Sequence, residues 1–231
     1  IAYISRMAAA GAVFALTLGA CASLEPVALP PAAIAGAVAQ PRPDSIALLN
    51  RLTGGINWQS SRQLDAAGFE QYLEQQLRSV SSPALPAEIQ AHIDAMTISR
   101  QPAHELVIDI EQRRRSILTM AGDEEKRAAQ RAYQEDLTAL AREAATRSLL
   151  RAINSPNQLH EQMTWFWMNH FNIFQNKNNL RAMVGDFEEQ AIRPHALGRF
   201  RDLLVATIYH PAMLRYLDNE NNAAGRINEN Y

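Results

Sequence analysis

The chain has 231 residues, of which 47% are hydrophobic and 20% are charged, enough for one globular domain with a sizeable core. The formal net charge of −2 provides no basic field, which argues against nucleic acid as a partner. The single cysteine, Cys21, excludes an internal disulfide. The chain begins with Ile1 and stops after residues 228–231 without a closing element, so we expect it to be truncated at the C-terminus.

The first twenty residues have the pattern of a signal peptide. Arg6 precedes an apolar run over residues 7–18, and small residues lead up to Cys21. The run is too short for a membrane-spanning helix, which needs roughly 20 residues. Leu18-Gly19-Ala20-Cys21 resembles the lipobox of bacterial lipoproteins, in which the cysteine is lipidated; an ordinary secretory signal with a chance cysteine is the alternative. The first interpretation predicts an exported lipoprotein anchored to a membrane through Cys21, in the outer membrane or periplasm.

Residues 21–43 are rich in alanine and proline and almost uncharged. Such a composition favours an extended, disordered tether between the anchor and a folded part that begins at residue 44. Downstream, apolar residues recur at helical spacing, and no stretch alternates with a period of two for long enough to form a strand. The sequence therefore predicts an all-α fold, a multi-helix orthogonal or bundle-like array over residues 44–231.

One long helical pattern runs from Ala103 to Ile153, with a break at Gly122-Asp123. Its second half offers ion pairs at i,i+4 spacing, among them Glu143–Arg147. Its first half holds three consecutive arginines at 113–115, which are either a basic patch or a solvated helix face. Flanking acids and the lack of interleaved aromatics favour the solvated face.

The next predicted helix, about residues 155–174, is the most distinctive. Ser155 is a suitable capping residue and Pro156 suits the first helical position. Five aromatic rings fall within ten residues, at Trp165, Phe166, Trp167, Phe171 and Phe174. Because the helix is apolar on every side, we expect it to be a buried aromatic helix whose polar residues are hydrogen-bonded or functional.

Several polar residues on or near this helix are candidates for chemistry. His170 either donates to a backbone carbonyl or serves as a ligand or acid–base group. Asn169 and Asn172 are candidate binding residues. On the following helix, Glu189 and Arg193 are spaced as an i,i+4 surface ion pair. The alternative is that Asp186 and Glu189 turn inward toward His170, with Arg193 balancing their charge.

Three further candidates lie downstream. His195 follows Pro194 at a helix end, where backbone groups are free. Asp218 and Asn219 offer oxygen ligands to a hard cation, or they are plain loop. Established catalytic motifs are absent: there is no phosphate loop, nucleophile elbow or paired-cysteine zinc site. His160-Glu161 resembles the start of a zinc-protease helix, but Thr164 stands where the second histidine ligand is needed.

Residues 45–231 resemble a bacterial family, the domain-of-unknown-function 1800 family of exported proteins. The N-terminal signature is visible in Leu48-Leu49-Asn50-Arg51-Leu52-Thr53, although the usual Thr-Phe-Gly is Thr53-Gly54-Gly55 here. The most specific segments are Asn169-His170-Phe171-Asn172, Gly185-Asp186-Phe187-Glu188, Ile192-Arg193-Pro194-His195 and His210-Pro211-Ala212-Met213-Leu214. The resemblance implies a helical fold, a chain that continues after Tyr231, and a possible exported sulfatase-like partner. It carries over no catalytic residue.

Two hypotheses of function follow, and whether the protein is an enzyme stays open. The first is a non-catalytic envelope module, tethered by lipid, that binds or positions a partner. The second is a metal-assisted hydrolase or modifying enzyme acting on an envelope or extracellular substrate, with a divalent metal ion or proton-transfer site around His170, Asp186, Glu189 and His195. The second hypothesis requires these side chains to converge in space.

Overall fold

The computed structural model describes residues 43–78 and 84–230. Within these ranges the regular elements are helices, and only an isolated bridge between Ala223 and Arg226 has β character. The prediction of an all-α fold is confirmed. The predicted signal peptide, Cys21 and the tether up to residue 42 lie outside the described residues. None of the described helices combines the length and apolar character that crossing a membrane requires.

Eleven α-helices and four short turns follow one another along the described ranges. The α-helices are α1 Pro43–Leu52, α2 Trp58–Ala67, α3 Phe69–Arg78, α4 Ala87–Asp94, α5 Thr97–Arg100, α6 Ala103–Thr119, α7 Asp123–Asn154, α8 Gln158–His170, α9 Val184–Asp186, α10 Phe200–Tyr209 and α11 Pro211–Tyr216. Three turns are 3₁₀-helical, at Leu180–Ala182, Arg193–His195 and Asn219–Asn221. A π-helical turn, Phe187–Ile192, continues α9.

Helix α7 is the longest element and packs against α4, α5, α6, α8 and α9. Its 32 residues span about 48 Å at the usual rise. Its first half folds back on α6 around the buried Ile110, Tyr133 and Leu137, and the two helices are separated at Gly122, as predicted. Its second half packs against α5, α8 and α9. A second apolar cluster, centred on Phe187 and Leu203, joins the π-helical turn to α10.

Side chains of α6 and α7 confirm the predicted solvated face and correct one predicted ion pair. The arginines at 113–115 of α6 are exposed, and Arg113 pairs with Asp109 and with Asp136 of α7. The prediction of a solvated helix face is therefore confirmed. The predicted i,i+4 pair Glu143–Arg147 does not form. Glu143 instead accepts hydrogen bonds from Thr97 and Ile98 of α5, because this part of α7 faces other helices rather than solvent.

Helix α8 is shorter and less buried than predicted. It begins at Gln158 rather than near Ser155, whose hydroxyl accepts from the amide of Asn157, the residue directly before the helix. It ends at His170 rather than Phe174. Trp165 is 64% exposed and Phe166 48%, so the prediction of a buried aromatic helix is wrong. The physical reason is that the buried face of α8 is largely polar, comprising Gln158, Leu159, Glu161 and Thr164.

The segment after α8 is fixed by polar contacts as well as by the burial of Ile173 in the apolar cluster around Phe187. Asn179 is almost fully buried; its side-chain amide donates to Glu111 at 2.9 Å and its carbonyl oxygen accepts from Arg215 at 2.7 Å. Lys177 pairs with Asp218 at 2.7 Å. These contacts connect the segment to α6, to α11 and to Asp218 after α11, directly before the 3₁₀ turn at Leu180.

Candidate functional site

The π-helical turn decides which charged residues meet. In a π-helix the backbone hydrogen bond spans five residues, and here the amide of Arg193 donates to the carbonyl of Glu188. The wider turn places Glu188, five residues back, beside the Arg193 guanidinium, with Nη2 2.7 Å from Oε1. The predicted surface pair Glu189–Arg193 therefore does not form, since i,i+4 spacing matches an α-helical turn only. Such π turns are frequent at functional sites.

Arg193 is buried between two carboxylates. It is only 6% exposed; Nη1 donates to both carboxylate oxygens of Glu161 on α8 at 2.9 Å, and Nη2 donates to Glu188. Burial opposes the charge of Arg193, but the two carboxylates outweigh it and raise the pKa of the guanidinium. Bidentate, charge-assisted bonds of this kind are strong and hold the groups in a defined geometry. The buried face of α8 is therefore joined to the π-helical turn by charge.

A second set of pairs lies beside the first. Glu189 contacts Arg147 and Arg151, both on α7. Burial works against the carboxylate, but the hydrogen bond and charge of Arg151 and the charge of Arg147 outweigh it and lower the pKa of Glu189. Arg147 also donates through Nη2 to the carbonyl of Gly185 at 2.6 Å. Burial lowers the pKa of this guanidinium.

We call the six residues of these pairs the buried ion cluster: Arg147, Arg151, Arg193, Glu161, Glu188 and Glu189. Three positive and three negative charges balance. The cluster joins α7, α8 and the π-helical turn at one point. Neither prediction for this region is correct, because Glu189 and Arg193 pair with residues on other elements rather than with each other or with His170.

His160 lies at the edge of the buried ion cluster. Its Nε2 is 2.9 Å from the carbonyl oxygen of Arg193, so Nε2 carries the proton and donates. Burial lowers the pKa of His160, against the opposing effect of this hydrogen bond. A cavity of about 30 Å³ adjoins it, with Arg151, Ser155 and Glu161 among its lining residues. Its size and polar walls suit an ordered water molecule.

A larger groove lies on the other side of the Glu161–Arg193 pair. Its volume is about 790 Å³, within the range of small-molecule sites in proteins. The groove runs between the turn after α1, the second half of α7 and the first half of α8. Its walls are formed by Asn50, Thr53, Gly54, Gly55, Ala145, Ser148, Leu149, Ala152, Gln158, Gln162, Thr164 and Trp165, with Glu161 and Arg193 also lining it.

The groove wall on α8 is positioned by a side chain from a distant helix. Gln76 of α3 accepts from the amide of Leu159 at 3.1 Å and donates to the carbonyl of Pro156 at 3.0 Å. The first amides of a helix have no partner within the helix, so Gln76 supplies one from outside. Gln158 in turn donates to the carbonyls of Ala152 and Ser155 at the end of α7. The junction between α7 and α8, at one end of the groove, is therefore held by two glutamine side chains.

The structure separates the predicted catalytic residues. Asp186 is paired with His210, whose Nε2 lies 3.1 Å from the carboxylate, and not with His170. The Nδ1 of His210 accepts from the amide of Ala212, which fixes the Nε2–H tautomer and caps α11. His195 occupies the 3₁₀ turn after Arg193, where its backbone carbonyl accepts from Gly198.

The remaining candidates lie on the surface or in loops. His170 is exposed at the end of α8, where it packs edge-on against Trp167 and Phe171. Asn169 donates to the carbonyl of Trp165 one turn back, and Asn172 is exposed. Asp218, with a left-handed backbone (φ 58°), pairs with Lys177, and Asn219 accepts from Asn222. None of these side chains lines the groove.

A metal centre is not assembled within the described ranges. Nowhere in residues 43–78 and 84–230 do three side chains of histidine, cysteine, aspartate or glutamate come close enough to hold a metal ion. Among the predicted catalytic residues, Asp186 lies beside another residue that could bind a metal ion, His210. A third ligand beside it is not supplied by this part of the chain.

The sequence patterns do not single out the groups that organise the site. His160 and Glu161 stand out only as an incomplete zinc-protease motif, and Arg147 only as a member of an i,i+4 pair. One signal was available: Arg147 continues the apolar stripe Leu137, Leu140 and Ala144 of α7 at helical spacing, so its side chain had to face the core. For Glu161 no comparable signal existed, because polar and apolar residues are mixed along α8 and their spacing does not indicate which face is buried.

The molecule is thus an all-helical protein with a groove above a buried ion cluster. The chain belongs to the family described as "Protein of unknown function (DUF1800)", whose profile matches residues 47–231. This confirms the resemblance found in the sequence. Neither the curated proteins nor the solved structures contain a match.

Proposed function

We propose that this protein is an exported, lipid-anchored helical module of the cell envelope whose groove between α7 and α8 binds a ligand. The observation that carries the proposal is the groove itself, about 790 Å³ in volume with Trp165 exposed along one wall. An exposed tryptophan beside a concave, mostly apolar surface is typical of a binding site.

The buried ion cluster supports a binding role for the groove. Four of its six charged groups, Arg147, Glu161, Glu188 and Arg193, are buried, which would be costly without pairing. Breaking one of these pairs leaves an uncompensated charge. Here the pairs connect α7, α8 and the π-helical turn, so the groove walls are held rigidly before a ligand arrives. A preorganised site binds more tightly because less motion is lost on binding.

A groove-filling variant tests this function. Ala145 is exposed and lines the groove, whereas Ala128 is exposed on the same helix outside it. Ligand-observed NMR of the full chain against a library of neutral fragments gives a set of hits and their affinities. We expect Ala145→Trp to abolish binding of most hits and Ala128→Trp to leave it unchanged. Equal binding by both variants would overturn the proposal.

The lipid anchor has its own test. Cys21 follows Leu18-Gly19-Ala20, the pattern that resembles a lipobox. We expect the chain, expressed in a bacterial host with an alkyne-labelled fatty acid, to incorporate label and to fractionate with membranes. Cys21→Ser should lose both the label and the membrane association while the protein is still exported. A label retained by Cys21→Ser would contradict the anchor.

The hydrolase alternative has less support in the described residues. Its candidate groups are dispersed: Asp186 pairs with His210, Glu189 with two arginines, and His170 lies among aromatic rings. A metal-dependent reaction would need ligands in addition to the Asp186–His210 pair. The proposed sulfatase-like partner would meet the module at the membrane surface, which the anchor at Cys21 would provide.

A further inference from the structure

We propose that the ligand of the groove is a neutral saccharide, bound with one sugar face against the indole ring of Trp165. This inference rests on the proposed binding function and adds the chemical class of the ligand. It is argued from the charge of the groove, its unused hydrogen-bonding groups and its aromatic wall.

Charge excludes most other ligands. Among the residues that line the groove, only Glu161 and Arg193 are charged, and they are bound to each other through two hydrogen bonds of 2.9 Å. A charged ligand would find no free counter-charge in the groove and would lose its hydration without compensation. The complementary ligand is therefore uncharged.

The polar groups of the groove match hydroxyl groups. The side chains of Ser148 and Gln162 are half-buried and make no hydrogen bond within the described ranges, so both are available to a ligand. The Glu161 carboxylate offers about four lone-pair sites, of which Arg193 uses two. An amide donates and accepts, a carboxylate accepts, and a hydroxyl does both, so a sugar ring with several hydroxyls satisfies these groups together.

The aromatic wall supplies the apolar part of the contact. Trp165 is 64% exposed at the side of the groove. A sugar ring carries its axial C–H groups on one face and its hydroxyls around the edge. It can therefore cover the indole with its apolar face while its edge reaches Gln162, three residues before Trp165 on the same helix. Leu149, which is also exposed, extends the apolar wall.

A peptide fits the groove less well. Extended peptides are usually held by pairing with an exposed strand edge, and the groove walls are helices and a turn whose backbones are engaged in helical bonds. A helical peptide needs a continuous apolar floor. The floor here alternates Ala145 and Ala152 with Ser148 and Gln158.

The test uses calorimetric titration of the full chain with neutral hexasaccharides of glucose, mannose and N-acetylglucosamine. A hexagalacturonate and a neutral hexapeptide of alanine and serine serve as the charged and peptide probes. We expect at least one neutral hexasaccharide to bind, with an affinity insensitive to salt, since no net charge is involved. Trp165→Ala should weaken it about tenfold or more.

Trp58 provides the matched control, because it is 59% exposed on α2 and does not line the groove. Trp58→Ala should bind the hexasaccharide like the unmodified chain. Gln162→Ala, which removes a partly exposed amide, gives a second variant if Trp165→Ala folds poorly, and it should also weaken binding.

Three results would overturn the inference. They are the absence of binding by every neutral hexasaccharide at millimolar concentration, binding that Trp165→Ala and Gln162→Ala leave unchanged, and binding of the hexagalacturonate or the hexapeptide alone. If neutral fragments still bind in the groove while no saccharide does, the proposed function stands and the ligand class is wrong. If neither binds, both fail.

Discussion

Arg193 stabilises the fold by compensating the charges of two buried carboxylates. Replacing it with methionine keeps most of the volume but leaves Glu161 and Glu188 buried without a counter-charge. Removing one partner of a buried pair costs about 3–5 kcal/mol. We therefore expect Arg193→Met to lower the free energy of unfolding by about that amount in urea denaturation.

Arg113 is the control for this substitution. It also pairs with two carboxylates, Asp109 and Asp136, but its side chain is about half exposed. Exposed pairs contribute less than about 1 kcal/mol, so Arg113→Met should change stability little. If both variants lost the same free energy of unfolding, burial would not be the reason that the Arg193 pairs stabilise the fold.

His160 makes stability depend on pH. Its pKa in the folded state is lowered from the ordinary value of 6.5, chiefly by burial. Between the lowered pKa and 6.5 the unfolded chain binds more protons than the folded chain, so stability falls as the pH falls through this window. The charged groups around it are Arg193, Glu161 and Arg151, and a protonated ring would add a fourth positive charge to a balanced cluster.

We expect the free energy of unfolding, measured in urea from neutral pH to about pH 5, to decline below about pH 6.5. His160→Gln, whose amide can donate to the same carbonyl of Arg193, should reduce this decline. His104→Gln, at an exposed histidine, should retain it. Glu189 contributes only at lower pH, because the pKa of this group is lowered from 4.5. An unchanged decline in His160→Gln would contradict the assignment.

Among the helices, α9 depends on a close approach to α7. A Cβ atom added at Gly185 would lie 3.0 Å from the Cβ of Ala144 and 3.2 Å from Nη2 of Arg147. The side chains cannot withdraw without disturbing the hydrogen bond from Arg147 to the Gly185 carbonyl. We expect Gly185→Ala to destabilise the fold by about 1–3 kcal/mol, as overpacking usually does.

Gly54→Ala is the control, because it adds the same methyl group at a position where there is room for it. Its nearest contact would be the Gln162 side chain at 3.9 Å, an ordinary van der Waals distance. Thermal unfolding of the two variants under the same conditions compares them. A neutral Gly185→Ala would mean that α7 and α9 pack less closely than the structure shows.

The helices show what periodicity can predict. The break between α6 and α7 at Gly122 and the exposed arginines at 113–115 were predicted correctly, because both follow from local sequence. The limits of α8 were not predicted correctly. Its start depends on Gln76, more than eighty residues earlier, and no local pattern shows that contact.

The candidate site was predicted less well than the fold, for a reason that also lies beyond local sequence. The spacing of Glu189 and Arg193 predicts an i,i+4 pair only if the turn between them is α-helical. The π-helical turn changes the partner to Glu188, and the sequence carries no sign of that turn. The aromatic residues of α8 predict a buried helix, whereas the face that packs against the protein is largely polar.

For the whole molecule, we propose that the groove between α7 and α8 is the binding site. Hydrogen–deuterium exchange of the full chain, with and without the tightest neutral fragment hit, tests it most directly. A second open cavity, of about 410 Å³ between α6 and α7 around Tyr133, provides an internal comparison. We predict that the ligand slows exchange in residues 53–55, 145–152 and 158–165, and leaves residues 109–120 and 129–136 unchanged. Protection only around the cavity at Tyr133, or no protection in either region, would contradict binding in the groove.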